Sequence, residues 1–207
     1  MQNSKSLMHS LSGGFVAALA LGLLAGCQTK PSSNQMTSTP SATAVAPSAA
    51  SASAPVAPPV RIKTGVTAPF TDSEGNVWLP DQGFADGDTT DRASDLQIAN
   101  TTDPGLYRTE RYSMTSFSYP VPNGKYIVKL HFAETYDGIS GPGYRVFSFN
   151  VEGHAFNDFD IWVKAGGPNR AYIETVPVDV TDGKLDITFT PKVENPEING
   201  IEILPGS

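Results

Sequence analysis

The chain has 207 residues, a single cysteine and a formal net charge of −7, which becomes −9 beyond Lys5 and Lys30, the only charged residues before Arg61. This length allows one domain of ordinary size with extensions, and the lone cysteine excludes an intrachain disulfide. An acidic domain without a lysine or arginine cluster is a poor partner for nucleic acid or anionic lipid headgroups, so a neutral ligand is expected.

Residues 1–26 have the pattern of an export signal. Lys5 is their only charge, and the apolar run GGFVAALALGLLAG is shorter than the roughly 20 residues of a membrane-spanning helix. The run ends in LLAGC, which resembles the lipobox of bacterial lipoproteins, so Cys27 is the predicted lipidation site. An ordinary signal peptide with a chance cysteine is the alternative.

Residues 27–60 are rich in Ser, Ala, Thr and Pro and predict a disordered tether, because such a segment buries too little apolar area to offset its chain entropy. As a flexible coil it would span on the order of 30 Å. A lipid on Cys27 would anchor the chain to a membrane of the cell envelope. By analogy with other lipoproteins, Gln28 in place of aspartate fits outer-membrane sorting if the organism is Gram-negative.

Residues 61–207 predict an all-β domain. In GKYIVKLHFAE, Tyr126, Val128, Leu130 and Phe132 alternate with residues such as His131, which is expected on the solvent side. The stretches RVFSFNVEG, GKLDITFTP and INGIEILP repeat the alternation, and FDIWVKAG is a further strand candidate. About ten short strands separated by turn residues predict a jelly-roll β-sandwich of two antiparallel sheets, without a helix.

Sequence signatures of catalysis are missing. The chain has no nucleophile-elbow serine, no histidine or cysteine metal spacing and no phosphate-binding glycine loop, so we do not expect an enzyme. The stretch DSEGN, Asp72 to Asn76, lacks the remaining ligands of an EF-hand and is interpreted as a polar turn. No cofactor is expected, and a structural calcium ion held by loop oxygens is the alternative.

Several stretches in a fixed order carry a family resemblance. They are FTDSEGNVW, RASD, LYRTERY, FSYPVPNGKYIVKLHFAETY, RVFSFNVEG, DFDIW, AGGPNRA and PEINGIEIL. Together they resemble the malectin domain, a carbohydrate-binding module. The resemblance implies a malectin-like, galactose-binding-like jelly roll that binds a glucose-containing or related oligosaccharide.

The resemblance also implies site residues. Tyr112 ends LYRTERY and Tyr136 ends HFAETY, and both match sugar contacts of the family, as does Glu194, where malectin has an aspartate. Leu96 and Asp137 stand where malectin has aromatic residues. We therefore predict a sugar site of Tyr112, Tyr136, Asp137 and Glu194, in which rings cover the C–H face of a sugar and carboxylates accept its hydroxyl groups.

Three alternatives stay open at this point. Tyr112 could instead be a cross-strand core aromatic, and Glu134 is expected as a buried partner of Arg111 or Arg108 rather than a sugar ligand. For the whole domain, a structural or protein-interaction module of the envelope is the rival of the carbohydrate-binding function.

Overall fold

The computed structural model describes residues 55–207, so the predicted signal peptide, Cys27 and nearly all of the predicted tether lie outside the described residues. The strands are β1 Val60–Lys63, β2 Phe70–Thr71, β3 Val77–Trp78, β4 Phe84–Ala85, β5 Asp88–Asp91, β6 Thr109–Tyr112, β7 Ser116–Pro120, β8 Gly124–Phe132, β9 Val146–Val151, β10 His154–Phe159, β11 Tyr172–Val180, β12 Lys184–Val193, β13 Glu197–Ile198 and β14 Gly200–Pro205. A 3-10 helix, Pro104–Tyr107, and a short helix α1, Ile161–Ala165, complete the described elements.

Two antiparallel sheets form the sandwich. Their strand orders are β1-β14-β8-β11 and β10-β9-β12-β7-β4. The chain passes repeatedly between them, from β7 to β8, from β8 to β9, from β10 to β11 and from β11 to β12. One cluster of buried side chains, including Leu130 and Phe132 of one sheet and Phe147 and Ile187 of the other, fills the space between them. The predicted β-sandwich is confirmed.

Two smaller antiparallel sheets accompany the sandwich, β13-β6-β5 and β2-β3. The turn between β2 and β3 is the predicted polar turn, in which the Asp72 carboxylate accepts hydrogen bonds from the Asn76 backbone N–H (2.8 Å) and the Trp78 Nε1–H (2.9 Å). Among residues 55–207, no cluster of three or more His, Cys, Asp or Glu side chains is arranged to hold a metal ion.

The expectation that His131 faces solvent is wrong. His131 does lie on the outer face of β8, but Trp78 and Tyr107 pack against it and leave it 3% exposed. Its Nδ1 lies 2.9 Å from the Tyr107 hydroxyl and its Nε2 lies 3.0 Å from Glu202 Oε1. The segment between β1 and β6 therefore covers part of a sheet face that the alternation assigns to water.

The expectation that FDIWVKAG is a strand is also wrong, because it contains α1. The Asp160 carboxylate accepts a hydrogen bond from the Val163 N–H at 3.1 Å and caps the helix. Gly166 ends it in the left-handed conformation, with φ at 77°. Within residues 55–207, no helix is long and apolar enough to cross a membrane.

Candidate functional site

A cleft of about 270 Å³ opens where β8, β9 and β12 reach the same end of the sandwich. Its walls come from β5, β6 and the segments that follow β8, precede β9 and follow β12. The lining residues are Thr90, Arg92, Glu110, Tyr112, Tyr136, Arg145 and Glu194. Residues distant in sequence thus meet at one place, because strand ends of the two large sheets lie there beside the small sheet that contains β5 and β6.

The structure brings three of the four predicted sugar-site residues to this cleft. Tyr136 is 49% exposed, Tyr112 is half-buried and lies outside the core clusters, and Glu194 is exposed. Asp137 is exposed on the loop after Tyr136 but does not line the cleft. Leu96 packs against the cluster around Trp78, so this position supplies packing rather than a cleft wall.

Local contacts fix the ring of Tyr136. Its backbone N–H donates a hydrogen bond to Glu134 Oε1 at 3.1 Å, and the Arg92 guanidinium lies over the ring, 5.9 Å from its centroid. Gly138 lies so close to the ring that a Cβ at this position would collide with it. Tyr136 is therefore exposed yet held in one orientation, which reduces the entropy that a ligand would have to offset on binding.

The buried partner of Glu134 is Arg145, so the expectation of Arg111 or Arg108 is wrong. Arg145 Nε donates to Glu134 Oε2 at 2.6 Å, and the two side chains are 5% and 1% exposed. Arg111 instead pairs with the Asp81 carboxylate, and Arg108 donates to the Leu96 carbonyl.

Arg145 also ties the two sides of the cleft together. Its Nη1 donates to the backbone carbonyl of Asn195, next to Glu194. The same guanidinium thus holds the carboxylate that supports Tyr136 and the turn that carries Glu194. One buried side chain sets the spacing between the predicted ring and the predicted acceptor.

A second ion pair, between the partly buried Arg92 and the buried Glu110, forms another part of the floor. Arg92 Nη2 donates to Glu110 Oε1 at 2.7 Å, and Arg92 Nε donates to the Thr135 hydroxyl at 3.0 Å. The Thr135 hydroxyl in turn donates to Glu110 Oε2 at 2.9 Å. Burial raises the pKa of Glu110, although Arg92 and Thr135 oppose that shift.

Glu197 lies behind the floor and has an unusual environment. It is fully buried on β13, opposite Tyr112 of β6, and neither carboxyl oxygen has a hydrogen-bond partner within residues 55–207. Burial, together with Glu110 and Glu134, raises its pKa well above the ordinary value of 4.5. Glu197 therefore keeps its proton to a higher pH than an exposed glutamate does, and in that form Arg92 and Arg145 face two carboxylates, Glu110 and Glu134.

This environment predicts a pH dependence of stability. Because the folded state keeps the Glu197 proton to a higher pH than the unfolded chain does, Glu197 lowers the free energy of unfolding as the pH rises above 4.5. The fall is at most about 1.4 kcal/mol per pH unit. Glu197→Gln cannot ionise and should lose this contribution, while all other titratable side chains are present in both proteins.

Denaturant titrations of the two proteins across a pH series measure this effect. As the pH rises from 4.5, the free energy of unfolding of Glu197→Gln should increase relative to that of the wild type. A difference that stays constant across the series would contradict a protonated Glu197.

Four cleft residues were not predicted from the sequence as part of a site, namely Thr90, Arg92, Glu110 and Arg145. Glu110 and Arg145 are 3% and 4% exposed. The sequence signal for Glu110 is a charged residue inside the strand pattern of LYRTERY, because a charged side chain within a strand that packs on a core needs a buried partner.

Comparison with known proteins identifies related chains. The profile of the family described as malectin domain matches residues 60–201. Malectin-B of Xenopus laevis is 34% identical over 140 residues, which cover 56% of this chain and 50% of that protein. Malectin of Homo sapiens is 33% identical over 140 residues, which cover 56% of this chain and 47% of that protein. The chain therefore spans about half the length of these curated relatives.

Solved structures share the fold at lower identity. A β-glucuronidase of Bacteroides uniformis superposes with a TM-score of 0.64 at 22% identity, over 72% of this chain but 18% of the enzyme. The ANXUR2 extracellular domain of Arabidopsis thaliana gives a TM-score of 0.61 at 19% identity, over 70% of this chain and 47% of that one. These likenesses concern the fold alone.

Proposed function

The chain belongs to the malectin domain family, and from this membership we propose that it is a non-catalytic carbohydrate-binding protein whose cleft between Tyr112, Tyr136 and Glu194 holds an oligosaccharide. The observation that carries the proposal is the convergence of two accessible tyrosine rings and a carboxylate on one cleft. Aromatic rings cover the apolar face of a pyranose, and carboxylates accept hydrogen bonds from its hydroxyl groups.

The charge of the cleft favours a neutral sugar. The partly buried Arg92 and the buried Arg145 are already paired with Glu110 and Glu134 at 2.7 and 2.6 Å, and Glu194 adds negative charge to the wall. An anionic sugar would meet no unpaired cation among these groups and would be repelled by Glu194. A glucose-type or related neutral oligosaccharide therefore fits the cleft better than a uronic acid.

A glycan array probed with the full chain tests this proposal. We expect binding to neutral oligosaccharides in preference to acidic ones. No binding to any neutral glycan would overturn the proposal and favour the rival function, a structural or protein-interaction module. That rival has one observation in its support, since Leu96 and Asp137 supply no aromatic wall to the cleft.

We also propose that the domain is presented at the cell envelope by a lipid on Cys27 and a flexible tether. The LLAGC sequence and the Ser/Ala/Pro-rich segment that follows it support this proposal. A single chain anchored in this way would search a volume around its anchor for glycans.

The anchor predicts a change in partitioning. Cys27→Ser removes the only thiol of the chain, so the protein should move from the detergent phase to the aqueous phase in a detergent phase separation of bacterial cells that express it. The control substitution Ser32→Ala, within the tether, should leave the protein in the detergent phase like the wild type. If Cys27→Ser partitions like the wild type, the lipid assignment is wrong.

A further inference from the structure

A second pocket lies beside the cleft. It encloses about 400 Å³, and its lining residues are Val146, Asp158, Asp160, Val163, Lys164, Lys192 and Val193. The predicted sugar site includes none of these residues. We call this pocket the valine pocket.

Residues that are neighbours in sequence line the cleft and the valine pocket at two places. Arg145 lines the cleft and Val146 the valine pocket, while Val193 lines the valine pocket and Glu194 the cleft. Val146 and Val193 are partners in the β9–β12 ladder. Since consecutive Cα atoms are about 3.8 Å apart, the two pockets are neighbours at the end of this strand pair.

Exposed apolar side chains are concentrated on this surface. Among residues 55–207, seven large hydrophobic side chains are exposed, and three of them are Tyr136 of the cleft and Val163 and Val193 of the valine pocket. A fourth, Tyr144, is 57% exposed and directly precedes Arg145 and Val146, the residues that line the two pockets. Four of the seven exposed large hydrophobic side chains therefore lie in or next to the two pockets, and such a concentration is a feature of binding surfaces.

The loop that carries Tyr144 is fixed to the valine pocket. The Gly143 N–H donates to the Asp160 carboxylate at 2.6 Å, and the Tyr144 N–H donates to the Gly141 carbonyl at 3.5 Å. Tyr144 is therefore an exposed aromatic side chain on a loop that is hydrogen-bonded to a lining residue of the valine pocket.

Both lysines of the valine pocket are paired with carboxylates, and the Asp160 carboxylate accepts backbone hydrogen bonds from Gly143 and Val163. Lys192 Nζ lies 2.6 Å from Asp158 Oδ1, and Lys164 Nζ lies 3.7 Å from Glu174 Oε2. Apolar side chains flanked by paired charges suit a neutral polyhydroxylated ligand, which offers both C–H faces and hydroxyl groups.

We propose that the cleft and the valine pocket form one groove for a neutral oligosaccharide longer than a disaccharide. The unit bound at Tyr112 and Tyr136 continues into units that contact Tyr144, Val193 and Val163. This inference rests on the proposed function of the cleft and extends it from a site for a glycan end to a site for a glycan chain.

Titration calorimetry of the full chain with maltose, maltohexaose, laminaribiose and laminarihexaose tests the groove. The hexasaccharide should bind about 5- to 30-fold more tightly than its disaccharide, as expected for one added stacking ring. Tyr144→Ala and Val163→Ser should reduce that gain and leave disaccharide affinity unchanged. Val77→Ser is the matched control, since Val77 is 58% exposed, close to the 61% of Val163, and lines neither pocket.

The outcomes separate the two proposals. If Tyr136→Ala weakens disaccharide binding but the hexasaccharide binds no more tightly than the disaccharide, the cleft remains a sugar site and the groove proposal is wrong. A gain that Tyr144→Ala leaves intact would likewise overturn the groove. Absence of binding to all four sugars would overturn the groove together with the glucan specificity on which this test relies, and the glycan array would then decide whether the cleft binds another neutral sugar.

Discussion

Replacing Arg145 with alanine should lower the free energy of unfolding by about 3–5 kcal/mol, the usual cost of breaking a buried ion pair by removing one partner. The substitution leaves the Glu134 carboxylate, which is 1% exposed, without its 2.6 Å partner. It also removes the hydrogen bond to the Asn195 carbonyl. Because both walls of the cleft depend on this side chain, sugar binding should weaken as well.

A surface pair of the same length provides the control. Lys192 and Asp158 are also 2.6 Å apart, but they are 59% and 61% exposed. Lys192→Ala should change stability by no more than about 1 kcal/mol, because water solvates both charges. Adding Glu134→Gln to Arg145→Ala should restore part of the lost stability. Equal effects of Arg145→Ala and Lys192→Ala in denaturant titrations would contradict the assigned role of Arg145.

Tyr136→Ala should weaken oligosaccharide binding by about 5- to 30-fold, which corresponds to a stacking contribution on the order of 1–2 kcal/mol. The ring is 49% exposed, so its removal leaves no large internal cavity and the melting temperature should hardly change. Calorimetric titration gives the affinity, and a thermal melt of the same sample gives the stability.

Tyr136→Phe separates the ring from its hydroxyl group. It keeps the ring over Gly138 and beneath Arg92, so it should retain most of the affinity that Tyr136→Ala loses. A stability loss of about 3–5 kcal/mol for Tyr136→Ala, typical of a truncated buried aromatic, would instead make this ring a structural element.

The sandwich was predictable because its strands obey a simple periodicity. Val128, Leu130 and Phe132 alternate with polar or partly buried neighbours, and all three are fully buried in the structure. The helix α1 escaped prediction because its five residues are too few to show a helical period, and its ends depend on Asp160 and Gly166.

His131 shows the limit of alternation as a guide. The period of two places its side chain on the outer face correctly, but it cannot say whether another segment covers that face. Here the 3-10 helix brings Tyr107 within hydrogen-bonding distance of His131.

Some residues of the candidate site were predictable from the sequence and others were not. Tyr112, Tyr136 and Glu194 were predicted from a family resemblance, and the fold gathers them at one cleft. The partner of Glu134 was not predictable, because three arginines were near enough in sequence to compete. The fold places the residue before β9, Arg145, next to Glu134, and this proximity cannot be derived from the sequence.

The most direct test of the central claim is to follow the backbone amide resonances of the isotope-labelled full chain during titration with a neutral oligosaccharide that the glycan array identifies. We expect saturable shifts, with an affinity in roughly the micromolar to millimolar range, centred on Tyr112, Tyr136 and Glu194. The Asp72 to Asn76 turn, which lines neither the cleft nor the valine pocket, should not respond. Shifts that saturate elsewhere on the domain while the amides of these three residues stay unchanged would contradict the assignment of the cleft as the carbohydrate-binding site.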